Sequence, residues 1–158
     1  MIAITLDTDW APTPVIEDSL DFLNRHDISS TVFSTHDDGL DIGDHERAIH
    51  PNFFESETGD EETLSELVNT FPDAVGTRSH SLYTHGRLHS LYPEYDLAYE
   101  SNYMMYREPD LRPFWMGQQF VQIPIYFMDD VWMNREENMP KSEVLLNGDG
   151  LKVFTFHP

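Results

Sequence analysis

The sequence predicts an α/β fold built on parallel strands, and three observations support that class. Residues 2–6 (IAITL) and 30–34 (STVFS) are short apolar runs rich in β-branched side chains, which is typical of buried strands. Residues 11–28 and 59–71 instead repeat apolar side chains every three or four positions, which indicates amphipathic helices. Strands and helices alternate along the chain, and that alternation favours a parallel sheet covered by helices.

The first helix is predicted from its start signals and its apolar face. Thr13 is the candidate N-cap, and Pro14 suits the first helical position because an N–H there would lack a partner anyway. Ile16, Leu20 and Leu23 are four and three residues apart, so they share one face. The sequence therefore predicts a helix that buries these three side chains.

The second helix is predicted from the same features. Asp60 is the candidate N-cap, and two glutamates follow it at the positive end of the helix dipole. Leu64, Leu67, Val68 and Phe71 form the apolar face. We therefore expect a second amphipathic helix with one buried side.

Three further strands are expected in the middle of the chain. Residues 47–53 and 74–80 are strand-like, and the second of these runs ends on His80. Residues 121–127 are another candidate. Pro124 places this run near an edge or a bulge, because proline cannot donate a backbone hydrogen bond.

Two remaining segments differ from each other in character. Residues 81–118 hold six of the seven tyrosines and little periodicity, so we expect a long irregular segment with one short helix around residues 97–106. Residues 151–156 (LKVFTF) form the last predicted strand, which leads directly to His157.

Composition restricts the class of protein. The 158 residues are predicted to form a single domain over residues 1–158, and the absence of cysteine excludes disulfides and thiolate metal sites. The net charge of −20 would repel nucleic acid and anionic membranes. No apolar run approaches the roughly 18 residues of a membrane span, and no signal peptide precedes the first strand. We therefore expect a cytoplasmic protein without a nucleic-acid partner.

Carboxylates and imidazoles lie at the ends of the predicted strands. Asp7 and Asp9 come after the first strand, His50 lies in the third, His80 ends the next and His157 follows the last. In α/β folds functional groups gather at the carboxyl ends of strands. One carboxylate with two imidazoles can bind a divalent cation such as zinc and leaves positions open for water and substrate. The pattern therefore predicts a hydrolytic metal site at one rim of the sheet.

Several motifs resemble those of the NodB-type polysaccharide deacetylases, especially the divergent branch associated with bacterial surface polysaccharide gene clusters. In LDTDW, Thr8 separates two aspartates that are adjacent in the family's usual TFDDG. His80 and His85 are five residues apart in HSLYTH, where the family's usual H-[ST]-x-x-H has four. His157 follows an apolar strand, as in the last family motif, and MDDVW at residues 128–132 is similar to the Asp-Trp motif.

The resemblance implies a metal-dependent N-deacetylase that acts on an acetamido sugar of a surface polysaccharide or its precursor. By that resemblance Asp9, His80 and His85 hold the divalent metal, which we expect to be zinc or cobalt. Asp7 is then the general base that takes a proton from the attacking water. His157 is the general acid that protonates the departing amine.

Three further residues are candidates for contact with the carbohydrate. His50, Asn102 and Trp132 are the candidates for substrate binding. His50 competes with His85 for the third ligand position, and Asn102 has a turn as its alternative role. The expected fold is the family's distorted (β/α) barrel. Because that barrel has seven strands and typical barrels need a longer chain, we expect it to be incomplete at the C-terminus.

Two other functions stay open at this stage. A metal-dependent phosphoesterase could use the same ligands, with Arg78 as its candidate phosphate partner. A non-catalytic carbohydrate-binding remnant would account for the many tyrosines without any chemistry. The family's Arg-x-Pro motif has only Arg107 and Arg112 as candidate counterparts.

Overall fold

The structure is a computed structural model, which describes residues 1–54, 56–135, 138 and 140–158. Nine strands form one curled sheet in the order β6-β7-β5-β4-β3-β2-β1-β9-β8. The strands are β1 (Ile2–Asp7), β2 (Ser30–Ser34), β3 (Glu46–Ile49), β4 (Gly76–Thr77), β5 (Tyr99–Glu100), β6 (Phe114–Met116), β7 (Phe120–Gln122), β8 (Phe127–Met128) and β9 (Lys152–Phe156).

Helices connect many of these strands. The α-helices are α1 (Thr13–Asn24), α2 (Asp60–Thr70), α3 (Gly86–Leu91), α4 (Asp129–Arg135) and α5 (Ser142–Leu146). Two 3₁₀ turns cover His80–Leu82 and Tyr92–Tyr95. As predicted, α1 buries Ile16, Leu20 and Leu23 against the sheet, where they pack in one cluster with Leu6 and Val32.

The pairing of the central strands brings their carboxyl ends to one rim. β1 lies between β2 and β9 and is parallel to both, with Asp7 opposite Phe33 and Leu6 opposite Phe156. All strand pairs that the structure describes are parallel except β6 with β7. The residues that directly follow β1, β3 and β9 therefore meet at the same edge.

The short connection between β7 and β8 requires the sheet to curl. These strands are second and ninth in the spatial order, so seven strand spacings separate them, roughly 34 Å in a flat sheet. Only residues 123–126 connect the two strands, and so short a segment spans at most about 18 Å. The two ends of the sheet must therefore approach each other.

The curled sheet has the shape of half a barrel. An isolated parallel bridge joins Met104 to Ile125 between the two ends of the sheet. Ile125 N–H donates to Tyr103 O (2.8 Å), and Tyr126 N–H donates to Val153 O (3.0 Å). These contacts draw the ends together into a half-barrel. We expected a distorted (β/α) barrel that is incomplete at the C-terminus, and a complete barrel is not confirmed.

Both predicted N-caps are wrong by one residue. Helix α1 begins at Thr13, because the carbonyl of Pro12 already accepts from Val15 N–H (2.8 Å). Helix α2 begins at Asp60 after Gly59, whose φ of 102° suits glycine. The carboxylate of Asp60 is used elsewhere, since it pairs with His85 (2.8 Å).

The prediction of a helix around residues 97–106 is also wrong, because long-range pairing uses the backbone there. Ala98 O accepts from Val121 N–H (2.9 Å), and Ser101 N–H donates to Thr77 O (2.9 Å). Tertiary context thus overrides local propensity and makes β5 a strand. The sequence also gave no indication of helices α3, α4 and α5.

Three predicted strands are shorter than expected. β3 ends at Ile49, so His50 follows that strand instead of lying in it. β4 contains only Gly76–Thr77 of the run 74–80. The run 121–127 divides into β7 and β8 around Pro124, which has no N–H for a ladder bond.

None of the helices that the structure describes is both long and apolar enough to cross a membrane.

Candidate active site

The turn after β1 directs Asp9 toward two imidazoles. Asp9 has a φ of 43°, which is uncommon for a residue with a side chain. The hydroxyl of Thr35 donates to the Asp9 carbonyl and holds this backbone. One carboxylate oxygen, Asp9 Oδ1, then accepts from His50 Nε2 (3.1 Å) and from His80 Nδ1 (2.9 Å).

Asp9, His50 and His80 have the donor set of a divalent-cation site. One ligand atom from each residue lies within 4.8 Å of the other two. The two rings meet nearly at right angles, with centroids 5.7 Å apart. Two imidazole nitrogens and a carboxylate oxygen suit zinc, and they would leave one or more positions open.

The charge state of Asp9 suits this role. Burial acts to raise the pKa of Asp9, but hydrogen bonds and charge from His50 and His80 outweigh it and hold the pKa below its ordinary value. The carboxylate is therefore ionised near neutral pH, as a metal ligand must be. His50 Nδ1 is buried without a hydrogen-bond partner among the described residues. The position of this ring is thus fixed mainly by what its other nitrogen binds.

His85, which we expect from the sequence to be a metal ligand, lies outside this group. Ser81 (φ 56°) and Leu82 (φ 54°) make a left-handed turn that takes the chain away from the rim after His80. His85 then caps helix α3, where its Nδ1 accepts from Arg87 N–H (3.2 Å). Its Nε2 must carry the hydrogen that it donates to Asp60 (2.8 Å). Both nitrogens of His85 have partners, and the imidazole that lies with His80 beside Asp9 is that of His50.

A zinc titration of single variants will show whether His50 or His85 binds the metal. We expect His50→Ala to weaken zinc binding by more than about 100-fold, because it removes a ligand, and ligand-supporting contacts alone are worth 10–100-fold. His85→Ala should leave zinc affinity unchanged and lower stability by about 1 kcal/mol through the lost cap. His26→Ala, which changes an exposed histidine just after α1, is the matched control. Loss of zinc in His85→Ala with retention in His50→Ala would contradict this assignment.

Asp7 is buried at the end of β1 and pairs with a buried arginine. Its Oδ1 accepts from Arg78 Nη1 (2.7 Å), and both side chains are almost completely inaccessible. Arg78 also donates to Thr5 Oγ1 (2.8 Å) and, through Nε and Nη2, to the carbonyl and hydroxyl of Ser101 (3.0 and 2.8 Å). Its guanidinium covers the Phe33 ring at 4.2 Å. The arginine thus offsets the buried charge of Asp7.

His157 is held in place by Asp129 at the start of α4. His157 Nδ1–H donates to Asp129 Oδ1 (2.6 Å), and the His157 backbone N–H donates to Oδ2 (2.9 Å). This pair of bonds fixes the orientation of the ring, so that Nε2 faces Asp7 Oδ2 (4.0 Å) and Asp9 Oδ2 (3.9 Å). The distances leave room for substrate atoms among the three groups.

The environment of His157 favours its protonated form. The hydrogen bond with Asp129 raises its pKa to about 9, and although burial opposes this, the charges of Asp7, Asp129 and Asp9 add to it. Burial acts to raise the pKa of Asp129, but its bonds with His157 hold that pKa below the ordinary value. At neutral pH the pair is an imidazolium beside a carboxylate.

These groups line one cavity of about 480 Å³. Asp7, Asp9, His50, His80 and His157 all contribute to its wall. A second group of ligand atoms, from Asp129, Asp130 and His157, also lies within 4.8 Å. However, the carboxylate of Asp129 is used by His157. The cavity therefore combines the candidate cation ligands Asp9, His50 and His80 with the carboxylate of Asp7 and the imidazole of His157.

Asn102 does not reach this cavity, although we expected it to bind substrate. It is buried, and its Oδ1 accepts from Ser79 N–H (2.8 Å). Its Nδ2 donates to Ser79 Oγ, to Tyr83 O and to Glu100 Oε1 (3.1, 3.2 and 2.7 Å). Asn102 therefore connects the loop that contains His80 with strand β5 by hydrogen bonds.

Glu100 is the buried anchor of that loop. Its Oε1 accepts from Tyr92 (3.1 Å) and Thr84 (3.2 Å) as well as from Asn102, and its Oε2 is 3.4 Å from His89 Nε2. Burial is the main cause that raises the pKa of Glu100. This network connects the loop that follows His80 to β5 through the buried carboxylate of Glu100.

Trp132 also does not line the cavity. Its ring packs against an apolar cluster that includes Tyr126, Phe127, Leu145 and Phe154. Its Nε1–H donates to the carbonyl of Asn138 (3.1 Å). The structure therefore gives Trp132 a packing role, whereas we expected it to bind substrate.

Comparison with known proteins gives consistent matches. A family model described as WbmS-like polysaccharide deacetylase matches residues 4–158. The crystal structure of WbmS from Bordetella bronchiseptica, a proposed polysaccharide deacetylase involved in O-antigen biosynthesis, is 27% identical, with a TM-score of 0.83 over 99% of this chain and 70% of that one. A proposed polysaccharide deacetylase from Mycobacterium smegmatis has the same fold, at 17% identity and a TM-score of 0.62, over 99% and 76% of the two chains. No curated protein matches significantly.

Proposed function

The chain belongs to the WbmS-like polysaccharide deacetylases, and from that membership we propose that it hydrolyses the N-acetyl group of an acetamido sugar with the help of a divalent cation. The observation that supports this most directly is the convergence of Asp7, Asp9, His50, His80 and His157 on one cavity. These residues come from the ends of three strands and from a turn. Such a combination supplies what amide hydrolysis needs.

Asp9, His50 and His80 would hold the cation. Their donors are a carboxylate and two imidazoles that already face one another within 4.8 Å, which is the chemistry that zinc or cobalt prefers. A bound cation would polarise the amide carbonyl and lower the pKa of a water molecule. To bind the cation through the nitrogens that now face Asp9, His50 and His80 would carry their hydrogen on the other ring nitrogen.

Asp7 is the base in this proposal. Arg78 occupies its Oδ1, so Oδ2 is the oxygen that faces the cavity and can accept a proton from the attacking water. The hydroxide oxygen then bonds to the amide carbon. Because Arg78 is fixed by four hydrogen bonds to Thr5, Asp7 and Ser101, the base is held in one orientation.

His157 is the acid. Its Nε2–H can protonate the amide nitrogen while the carbon–nitrogen bond breaks, because an amine leaves only after it gains a proton. The electron pair of that bond stays on nitrogen. The products are acetate and a free amino sugar, and Asp129 keeps the imidazole oriented throughout.

Asp129→Asn should shift the alkaline limit of activity. The general acid works only while protonated, so the parent should lose activity as the pH rises through about 9, which is the pKa of His157. Removing the largest cause of that raised pKa should move the limit toward 6.5, the ordinary value for histidine. The pH profile of acetate release measures this shift.

The pH dependence of protein stability gives a second, independent test of the pair formed by His157 and Asp129. A raised histidine pKa stabilises the folded state fully below about pH 6.5, and that contribution is lost as the pH rises through about 9. Asp129→Asn should therefore lose stability mainly on the acid side. Asp73→Asn, at an exposed position, is the matched control. An unchanged alkaline limit in Asp129→Asn would contradict the role of His157.

The experiment that tests the function itself is acetate release. Protein freed of metal with a chelator should release no acetate from N-acetylated chito-oligosaccharides, and zinc or cobalt should restore the release. The same samples should release no phosphate from sugar phosphates. Phosphate without acetate would favour the phosphoesterase, and sugar binding without either product would favour the non-catalytic alternative.

The position of Arg78 argues against phosphoesterase activity. This arginine was the candidate phosphate partner, but it is fully buried and its donors are used by Asp7, Thr5 and Ser101. The cavity wall otherwise consists of acids, histidines, serines and apolar residues. Among the described residues, no arginine or lysine therefore lines the cavity to pair with a phosphate group.

A further inference from the structure

The indole of Trp10 stands exposed beside the cation site. Trp10 directly follows Asp9, whose φ is positive. Although tryptophan is usually largely buried, 56% of this residue is accessible to solvent. The ring centroid lies 5.0 Å from that of His80, edge to face. An exposed tryptophan in contact with a proposed ligand is poorly explained by packing.

The position of Trp10 is determined by the turn that forms the site. Ala11 N–H donates to Thr8 O (2.8 Å), which closes the turn around Asp9. Thr35 holds the Asp9 carbonyl, while His50 and His80 hold its carboxylate. With Asp9 fixed at both ends, the next side chain has to project over the rim.

A second cavity of about 520 Å³ begins at Trp10. It is separate from the cavity that holds Asp7 and His157, and its wall includes Thr35, Asn52, Thr58 and Thr63. This volume is within the range of small-ligand sites. One aromatic face bordered by hydroxyl and amide groups suits a sugar ring, which has apolar C–H faces and polar edges.

The charge of this second cavity limits what it can hold. Asp37, Glu57 and Glu66 contribute to its wall, and no lysine or arginine does so among the described residues. Among the described residues of that wall, His36 is the one basic group. A carboxylated or phosphorylated sugar would be repelled, whereas a neutral or amine-bearing sugar would not.

We propose that Trp10 and this cavity bind a second, non-reacting sugar unit of the same glycan, one that carries no anionic group. The inference rests on the proposed function, because it places the reacting acetamide in the neighbouring cavity. The substrate is then an oligosaccharide or polysaccharide whose adjacent unit is neutral or amine-bearing. Stacking on Trp10 contributes to affinity and sets the direction in which the chain leaves the site.

Calorimetry on the metal-free protein tests this binding without requiring any turnover. The probes are N-acetylglucosamine, tetra-N-acetylchitotetraose and a hyaluronan tetrasaccharide, in which uronate units alternate with the acetamido sugar. The parent should bind chitotetraose about tenfold more tightly than the monosaccharide and should gain nothing from hyaluronan. Trp10→Ala should lose that gain, and Trp10→Phe should keep most of it. Trp115→Ala, which changes an indole that is 67% exposed on β6, is the control.

Each outcome decides one of the two proposals. If Trp10→Ala binds chitotetraose as tightly as the parent, or if the parent shows no gain over the monosaccharide, the second sugar site is wrong. If hyaluronan binds as well as chitotetraose, the exclusion of anionic units is wrong. Absence of acetate release with zinc would overturn the deacetylase proposal and leave the calorimetric result standing on its own.

Discussion

Asp9→Ala should abolish the binding of a divalent cation and the release of acetate together. The carboxylate is the only oxygen donor in the group with His50 and His80, and its Oδ1 contacts both rings. Cation catalysis supplies several kcal/mol of charge stabilisation, so we expect activity to fall by roughly 10³-fold or more. Metal content after dialysis and the rate of acetate release are the two measurements.

Two companion variants make the Asp9 result specific. Asp73→Ala changes an aspartate of an exposed turn and should retain both metal and activity. His80→Ala should behave like Asp9→Ala, since it removes a second donor of the same group. A metal content equal to that of the parent in both Asp9→Ala and His80→Ala would end the proposal of a cation site here.

Arg78→Ala should destabilise the protein by about 3–5 kcal/mol, because it leaves Asp7 as a buried charge without its partner. Both side chains are almost fully inaccessible, so water cannot replace the guanidinium. For a chain of this length, that loss corresponds to a fall of roughly 10 °C in the melting temperature. Urea and thermal unfolding at neutral pH measure it.

A second substitution tests the cause of that loss. In the Arg78→Ala background, Asp7→Asn removes the uncompensated charge and should restore part of the stability, although activity stays absent because the base is gone. Arg78→Lys retains the charge but not the planar fork that also reaches Ser101, so we expect an intermediate loss. A stability of Arg78→Ala within about 1 kcal/mol of the parent would refute the argument.

The members of the site could be predicted because strand order is visible in the sequence. Asp7, Asp9, His80 and His157 were selected because each follows or ends a predicted strand, and His50 because it lies in one. Parallel strands present their carboxyl ends at one rim. All five line the same cavity. Their roles in binding and proton transfer remain proposals, whereas their proximity is a property of the fold.

The supporting residues could not be predicted, because they depend on pairs of residues far apart in the chain. Arg78 and Asp7 are 71 positions apart, and His157 and Asp129 are 28 apart. The signal for Arg78 was present, since an arginine inside an apolar strand run requires a buried partner. The sequence does not say which acid that partner is.

His85 shows the limit of motif spacing. Its distance from His80 along the chain suggested a pair of ligands. However, Ser81 and Leu82 have left-handed backbone conformations, which direct the chain between the two histidines away from the rim. Positive φ at positions that are not glycine is rarely visible in a sequence. The pairing of His85 with Asp60 likewise depends on how α2 and α3 pack.

The pairing of β1 with β9 links the site to the folding reaction. These strands pair at five positions, and Thr5 and Thr155, which face each other, are 150 residues apart. Contacts of such high contact order form slowly, because a long loop must close first. Until they form, Asp7 at the end of β1 and Asp9 in the turn after it do not face His157, the proposed acid. The catalytic constellation and the most distant backbone pairing therefore arise in the same event, so partly folded chains should contain no competent centre.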